Sequence, residues 1–243
     1  GARRAVEAAL ACFARVNIDL IYARPGQTAD AWRRELREAV ALGAGHIAAY
    51  QLTIEPGTEF WRRHRLGRLN LPDPEEQALL FELTEEELAA AGFGRYEVSN
   101  HARPGEECRH NLVYWRYGEY AGIGPGAHGR LLVADRRLAT RTERIPERWL
   151  QQVEAVGHGL VDEEPIAPRD QAVECLLLGL RLAEGVDLTR LARLAGGDVG
   201  SVLDWQAVQE AVAEGHLCLL DARLRATPRG LMLLDRLLLS LLR

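Results

Sequence analysis

Two short apolar runs, each stopped by a Pro-Gly pair and separated by one amphipathic segment, restrict the fold of this chain more than any other feature. The first is "RVNIDLIYARPGQT", where Val16, Ile18, Leu20 and Tyr22 alternate with Asn17 and Asp19 before Pro25-Gly26. The second is "HIAAYQLTIEPGT", closed by Pro56-Gly57. Alternation at period two marks strands, and Pro-Gly ends them. Between the runs, Thr28 can cap a helix over Asp30 to Leu42, with Trp32, Leu36, Ala39 and Val40 on one face and Gly43 and Gly45 as its stop. An earlier segment, "ARRAVEAALACF", repeats Val6, Leu10 and Phe13 at helical spacing. Helix, strand, helix, strand with short loops predicts an α/β fold around a parallel sheet.

Downstream, Pro74 opens a long helix to about Ala91, with Leu79, Leu80, Leu83 and Leu88 as its apolar positions. "RYEVSN" reads as a third short strand, and Arg130 to Thr142 as a hairpin turning at Ala134-Asp135. "VDEEPIAPRD", polar and with two prolines, reads as a linker and places the expected domains at 1–160 and 161–243. Beyond it, "QAVECLLLGLRLAEG", "DLTRLARLAGG" and "DWQAVQEAVAEG" read as helices and "HLCLLDARLRAT" as a small hairpin. "TPRGLMLLDRLLLSLL" reads as a last helix, capped by Thr227 with Pro228 at its first position. The order is winged-helix-like, but the third helix is acidic and a poor reader of DNA, so packing is the better account of it.

Composition narrows the function. A formal net charge of −5 argues against a nucleic-acid footprint over the whole protein. No run approaches the roughly 20 apolar residues of a membrane span. The four cysteines, Cys12, Cys108, Cys175 and Cys218, form no C-x-x-C pair, and no signal peptide is present, so a reducing cytoplasm is expected. Cys12, Cys175 and Cys218 sit in apolar patterns and are expected as small core residues. The single methionine is Met232; with the first helix opening in mid-pattern, the chain reads as the C-terminal part of something longer.

Several residue sets could carry chemistry. Asp19 lies in the C-terminal half of its strand, where ligands meet parallel sheets, and a carboxylate there accepts from ribose hydroxyls or an ammonium group, or pairs with a neighbouring loop or arginine. Gln51, Thr53 and Glu55 alternate on the second strand and could share Asp19's face, or face solvent. "GIGPGA" has the G-x-G-x-x-A form, yet no apolar strand precedes it and a hairpin follows, which excludes a dinucleotide site. Its glycines permit close approach of the backbone to a flat ligand or to another strand. In a helix, His110 and Tyr114 would stack at i, i+4 with Asn111 and Trp115 beside them. Such an imidazole could ligate haem iron, with Cys108 as a second donor, or rest hydrogen-bonded in an aromatic cluster. His64, in "RRHR", is expected on a solvated surface turn.

Taken together, "VNIDLIYARPGQT", "HIAAYQLTIEPGT", "YEVSNHARPG", "HNLVYW" and "GIGPGAHG", in this order and spacing, resemble the HemW-type radical-SAM haem chaperones, a group of oxygen-independent coproporphyrinogen III oxidase-like proteins. The closing "TPRGLMLLDRLL" is similar to their C-terminal domain, and H-N-x-x-Y-W, here His110 to Trp115, separates the chaperones from the coproporphyrinogen dehydrogenases. The resemblance implies a partial (β/α) radical-SAM-type barrel, later strands only, followed by a small mainly helical domain. It implies S-adenosylmethionine and a [4Fe–4S] cluster in the full-length parent, and haem as cargo for haem-accepting proteins. Nucleic acid is not an expected partner; acceptors at a membrane and a homodimer are left open. By the resemblance, Asp19, Thr53 and His128 line the S-adenosylmethionine pocket. His110, Asn111, Tyr114 and Trp115 form the haem-related motif, with His110 as candidate iron ligand.

The chain departs from the family pattern in two places. The cluster motif C-x-x-x-C-x-x-C is absent, so this chain alone should not cleave S-adenosylmethionine. Ala23-Arg24 stand where Gly-Leu is usual after "LIY". Two other functions remain open at this stage: a porphyrinogen-oxidising oxidoreductase of the sister group, and an inactive remnant serving as a protein-interaction module. A barrel lacking its early strands would also expose a sheet edge and associate or aggregate.

Overall fold

The computed structural model describes residues 1–243, which form two compact units, Gly1–Cys108 and Arg109–Arg243. This division differs from the expected 160/161 boundary, because the hairpin region has its own sheet and is grouped with the helices that follow it.

In the first unit, α1 (Ala2–Cys12) precedes β1 (Asn17–Tyr22), α2 (Ala29–Ala41) and β2 (His46–Gln51). As expected, Thr28 caps α2, accepting from the Ala31 amide. α3 (Glu59–Arg65) and α4 (Pro74–Ala90) follow, then β3 (Gly94–Arg95) and β4 (Asn100–Ala102). Asp73 and Glu76 close a capping box at the start of α4, each accepting from the other's backbone N–H. The sheet runs β1-β2-β4-β3. β1 and β2 are parallel, as the sequence predicts; β4 is antiparallel to β2, because "RYEVSN" divides into two short strands around a turn.

The parity of the strands decides which residues form the core. Leu20 and Tyr22 of β1 and Ile47 and Ala49 of β2 pack beneath α2 and α4 with Trp32, Leu36, Leu80, Leu83, Leu88 and Phe93. Trp32 stacks on Tyr22 with ring centroids 5.4 Å apart. Its indole N–H donates to Thr84 Oγ1 at 2.9 Å, which satisfies the one polar atom that burial would leave costly. β1 ends the sheet on one side, and α1 buries none of its residues. His64 lies in α3 rather than in a turn.

The second unit opens with α5 (Arg109–Trp115), followed by β5 (His128–Val133), β6 (Arg136–Thr142), α6 (Pro146–Val156) and β7 (Leu160–Pro165). The β5–β6 turn falls where the sequence puts it, at Ala134 and Asp135, both with positive φ (47° and 61°), the requirement of a two-residue hairpin loop. The expected linker is instead β7, antiparallel to β6 at the sheet edge. A polar edge strand ending in proline carries the same signals as a linker.

α7 (Pro168–Gly179), β8 (Val186–Asp187), α8 (Leu188–Leu194), α9 (Trp205–Ala213), β9 (Leu217–Leu220) and β10 (Arg223–Ala226) follow, with β8-β10-β9 as a small sheet. That is the anticipated winged-helix-like order. The last helix is broken into α10 (Pro228–Leu231) and α11 (Leu234–Leu241). Gly230 lies so close to the His216 carbonyl that no side chain could fit there, which pins α10 against the hairpin. Of the cysteines expected in the core, Cys175 is buried, but Cys12 and Cys218 are exposed. No helix is long and apolar enough to cross a membrane.

Candidate functional site

The side chains that do not face the α2–α4 core are those of Asn17, Asp19 and Ile21 on β1. Register sets them against His46, Ala48 and Tyr50 of β2. Asp19 is exposed there, beside an Ala48 that is fully buried and too small to cover it. Asn17 Nδ2 donates to Asp19 Oδ1 at 2.6 Å. With its amide oriented this way, Asn17 Oδ1 must accept, so His46 Nδ1 carries the proton and donates to it at 2.6 Å. His46 Nε2 then accepts from the Tyr96 hydroxyl at 2.8 Å. His46 is 5% exposed, and burial holds its pKa below the ordinary imidazole value despite the nearby Asp19 charge. The result is a fully used chain, Tyr96 to His46 to Asn17 to Asp19, that fixes one carboxylate oxygen and leaves the other free.

Beside this chain, Glu97 of "YEVSN" is buried and accepts from Asn100 Nδ2 and from the Ser99 N–H at 3.3 Å. Burial raises its pKa.

Gln51, Thr53 and Glu55 do not share Asp19's face. Gln51 pairs with Tyr22, not with the Asp19 row, and its amide donates to Gln77 of α4 at 2.7 Å. β2 ends at Gln51, so Thr53 and Glu55 lie outside the sheet; the Thr53 hydroxyl donates to the Gln51 carbonyl at 3.4 Å. Gln51, Thr53 and Glu55 are all exposed, which agrees with the solvent-facing alternative for this row. His46, Asn17 and Tyr96 were missed, although Asn17-x-Asp19 on one strand and His46 opening the next was the available signal.

In the second unit, α5 is helical over Arg109–Trp115, and His110 and Tyr114 meet at i, i+4. Their rings pack edge-on with centroids 4.8 Å apart, and the Tyr114 hydroxyl lies 3.1 Å from His110 Nε2. Tyr114 continues to Tyr120, 4.5 Å between centroids. His110 is exposed, and Asn111, Tyr114 and Trp115 are half-buried. Tyr114 and Trp115, though adjacent, line different cavities. Tyr114 faces a cleft of about 280 Å³ shared with Tyr117, Tyr120 and α7. Trp115 faces a polar cavity of about 350 Å³ with Arg116, Glu184 and Arg190.

The glycine run serves the backbone. A Cβ on Gly122 would come within 2.5 Å of the His128 carbonyl, and one on Gly129 would strike Thr140. The Thr142 hydroxyl donates to the Gly124 carbonyl at 2.6 Å and accepts from the Ala127 amide at 2.8 Å. Of the two uses the glycines allowed, the one seen is strand-on-strand approach. His128 opens β5 and is exposed.

No three His, Cys, Asp or Glu side chains gather in a way that could hold a metal ion. The residues present therefore do not fit an iron–sulfur cluster, which takes three or four thiolates.

Residues 166–233 match the family model of the HemN C-terminal domain. The chain is 37% identical over 243 residues to the "Heme chaperone HemW" of Mycobacterium tuberculosis, covering 99% of this chain and 58% of the relative. It is 33% identical to "Radical S-adenosyl methionine domain-containing protein 1, mitochondrial" of Danio rerio, covering 97% and 54%. The solved coproporphyrinogen III oxidase HemN of Escherichia coli, described as a radical SAM enzyme, superposes with a TM-score of 0.74 at 17% identity, over 98% of this chain and 57% of that one.

The architecture is thus the later part of a radical-SAM-type α/β barrel followed by a small, mainly helical domain. The chain spans a little over half the length of these relatives. It belongs to the HemW-type family of radical-SAM proteins and corresponds to their C-terminal portion.

Proposed function

We propose that this chain is the haem-handling portion of a haem chaperone, with α5 as the surface that meets the cargo and His110 as the iron ligand. The observation that carries the reading is the His110–Tyr114 pair: an exposed imidazole, held edge-on by a tyrosine four residues later on one helix face. An exposed imidazole can reach an iron without burying it, and the Tyr114 and Tyr120 rings offer apolar surface to a macrocycle. Because His110 Nε2 is engaged with Tyr114, iron would take Nδ1, or take Nε2 as the tyrosine hydroxyl turns aside. The bacterial relatives' name, haem chaperone, supports haem as cargo and haem-accepting proteins as its destination.

In the first unit, the free oxygen of Asp19 suits a ribose hydroxyl of S-adenosylmethionine, and Thr53 is assigned as a second contact. S-adenosylmethionine supplies radical chemistry when it is bound at a cluster. This chain provides no cluster ligands, and its residues only bind and orient. The match to the HemN C-terminal domain, residues 166–233, lies wholly in the second unit and begins just after β7.

Titration of ferric haem into the 243-residue chain, followed at the Soret band, tests the reading. His110→Ala should weaken binding about tenfold or more, the scale of a lost metal-ligand interaction. An identical Soret titration in the variant removes His110 as ligand.

A further inference from the structure

We infer that the cleft between α5 and α7 takes the apolar edge of the tetrapyrrole, gripping the ring independently of its iron and leaving the opposite edge exposed for transfer. The inference rests on the haem reading above and adds where the ring sits and how it is held.

The two walls of the cleft differ. One is aromatic, with Tyr114 set against Tyr120; the other is aliphatic, formed by the half-buried Leu177 and Leu178 of α7. A slot with one aromatic and one aliphatic wall favours a flat, largely apolar guest. Arg130 also lines the cleft. Its guanidinium forms a bidentate pair with Glu174, at 3.0 and 2.8 Å, and the remaining nitrogen donates to the Gly129 carbonyl at 3.0 Å. Each of its nitrogens already donates, and with Glu174, which also lines the cleft, it forms a neutral pair, so the cleft suits an apolar edge rather than an acid substituent. The volume of about 280 Å³ lies just under the roughly 300–1,000 Å³ of pockets that bury most of a small ligand. A tetrapyrrole would therefore enter by an edge and remain partly outside, as cargo that must be passed on requires.

Tyr117 provides the second, independent observation. α5 ends in a Schellman motif: the Gly118 amide donates to the Val113 carbonyl at 2.7 Å, and the Tyr117 amide to the Tyr114 carbonyl at 2.9 Å. The residue at that position is left-handed and is ordinarily glycine, yet here it is Tyr117 with φ of 50°. Its ring is buried beneath the Arg137 guanidinium, 4.2 Å from the ring centroid. Its hydroxyl is buried with no well-formed hydrogen bond, although Glu174, committed to Arg130, is near enough to interact with it. Tyr117 thus combines a left-handed backbone with a hydroxyl short of a well-formed bond, at a residue that lines the cleft. Both are explained if Tyr117 is there to form the cleft.

The test compares ferric haem with metal-free protoporphyrin IX on the 243-residue chain, using porphyrin absorbance and tryptophan quenching. The variants are Leu178→Glu and Tyr120→Leu, each checked for folding by thermal melt; either one suffices if the other fails to fold. The exposed Leu239→Ala serves as the distant control. Both porphyrins should bind, and the cleft variants should weaken both by about tenfold or more while the control does not. If both bind unchanged to the cleft variants, or if haem binds and protoporphyrin does not, the cleft is wrong and the haem reading survives. If protoporphyrin binds through the cleft and haem no more tightly, the cleft stands and His110 as iron ligand falls. Binding of neither porphyrin overturns both.

Discussion

On the open face of the β1–β2–β4–β3 sheet, His46 uses both ring nitrogens, and Asn17 passes the constraint on to the Asp19 carboxylate. In the α5–α7 cleft, Tyr117 sits in a backbone conformation suited to glycine and keeps a buried hydroxyl without a proper partner. The first arrangement is closed: each buried polar group is spent on positioning one exposed acid. The second keeps a left-handed backbone and an imperfectly bonded hydroxyl beside an apolar cleft. A satisfied network makes a rigid platform, whereas a strained and underused residue marks a place where structure has yielded to function. The contrast implies that the two regions respond oppositely to removal of a polar group.

The largest effect is expected from His46→Leu. It removes both hydrogen bonds of a buried imidazole, to the exposed Asn17 and to Tyr96, and should destabilise the fold by about 1–2 kcal/mol in chemical denaturation. A loss under about 0.5 kcal/mol would show that the network is decorative. The same residue gives a pH signature. Burial lowers the pKa of His46, so the unfolded chain binds the proton more readily, and stability rises with pH. The contribution is complete above the ordinary histidine value of about 6.5 and declines as pH falls below it. His46→Leu should flatten the stability slope between about pH 7 and pH 5.

A smaller effect of opposite sign is expected in the cleft. Tyr117→Phe removes an unsatisfied hydroxyl and keeps the ring, so its stability should be unchanged or higher by up to about 1 kcal/mol. A loss of about 1 kcal/mol or more would mean that the hydroxyl is properly bonded, to Glu174, and the contrast with His46 would disappear.

What the sequence disclosed and withheld follows from how local each signal is. Thr28 and Trp32 could be placed because a cap and an amphipathic face are properties of one segment. His110 and Tyr114 meet because four residues are one helical turn. The β5–β6 turn at Ala134-Asp135 was evident from the flanking alternation. His46 with Asn17 was not, since their contact depends on the parallel register of two strands 29 residues apart. The same dependence left two places open for Gln51, and the register with Tyr22 settles between them. β7 looked like a linker because a polar edge strand pays little in apolar residues. The break between α10 and α11 is likewise absent from the helical periodicity of this leucine-rich segment.

The central claim is that haem is met by α5 and by the part of α7 facing it. Hydrogen–deuterium exchange on the 243-residue chain, with and without ferric haem, addresses this directly. The account predicts slowed exchange in peptides covering residues 109–120 and 172–180, with the β1–β2 region unchanged. Protection confined to other segments, or none at saturating haem, would contradict it.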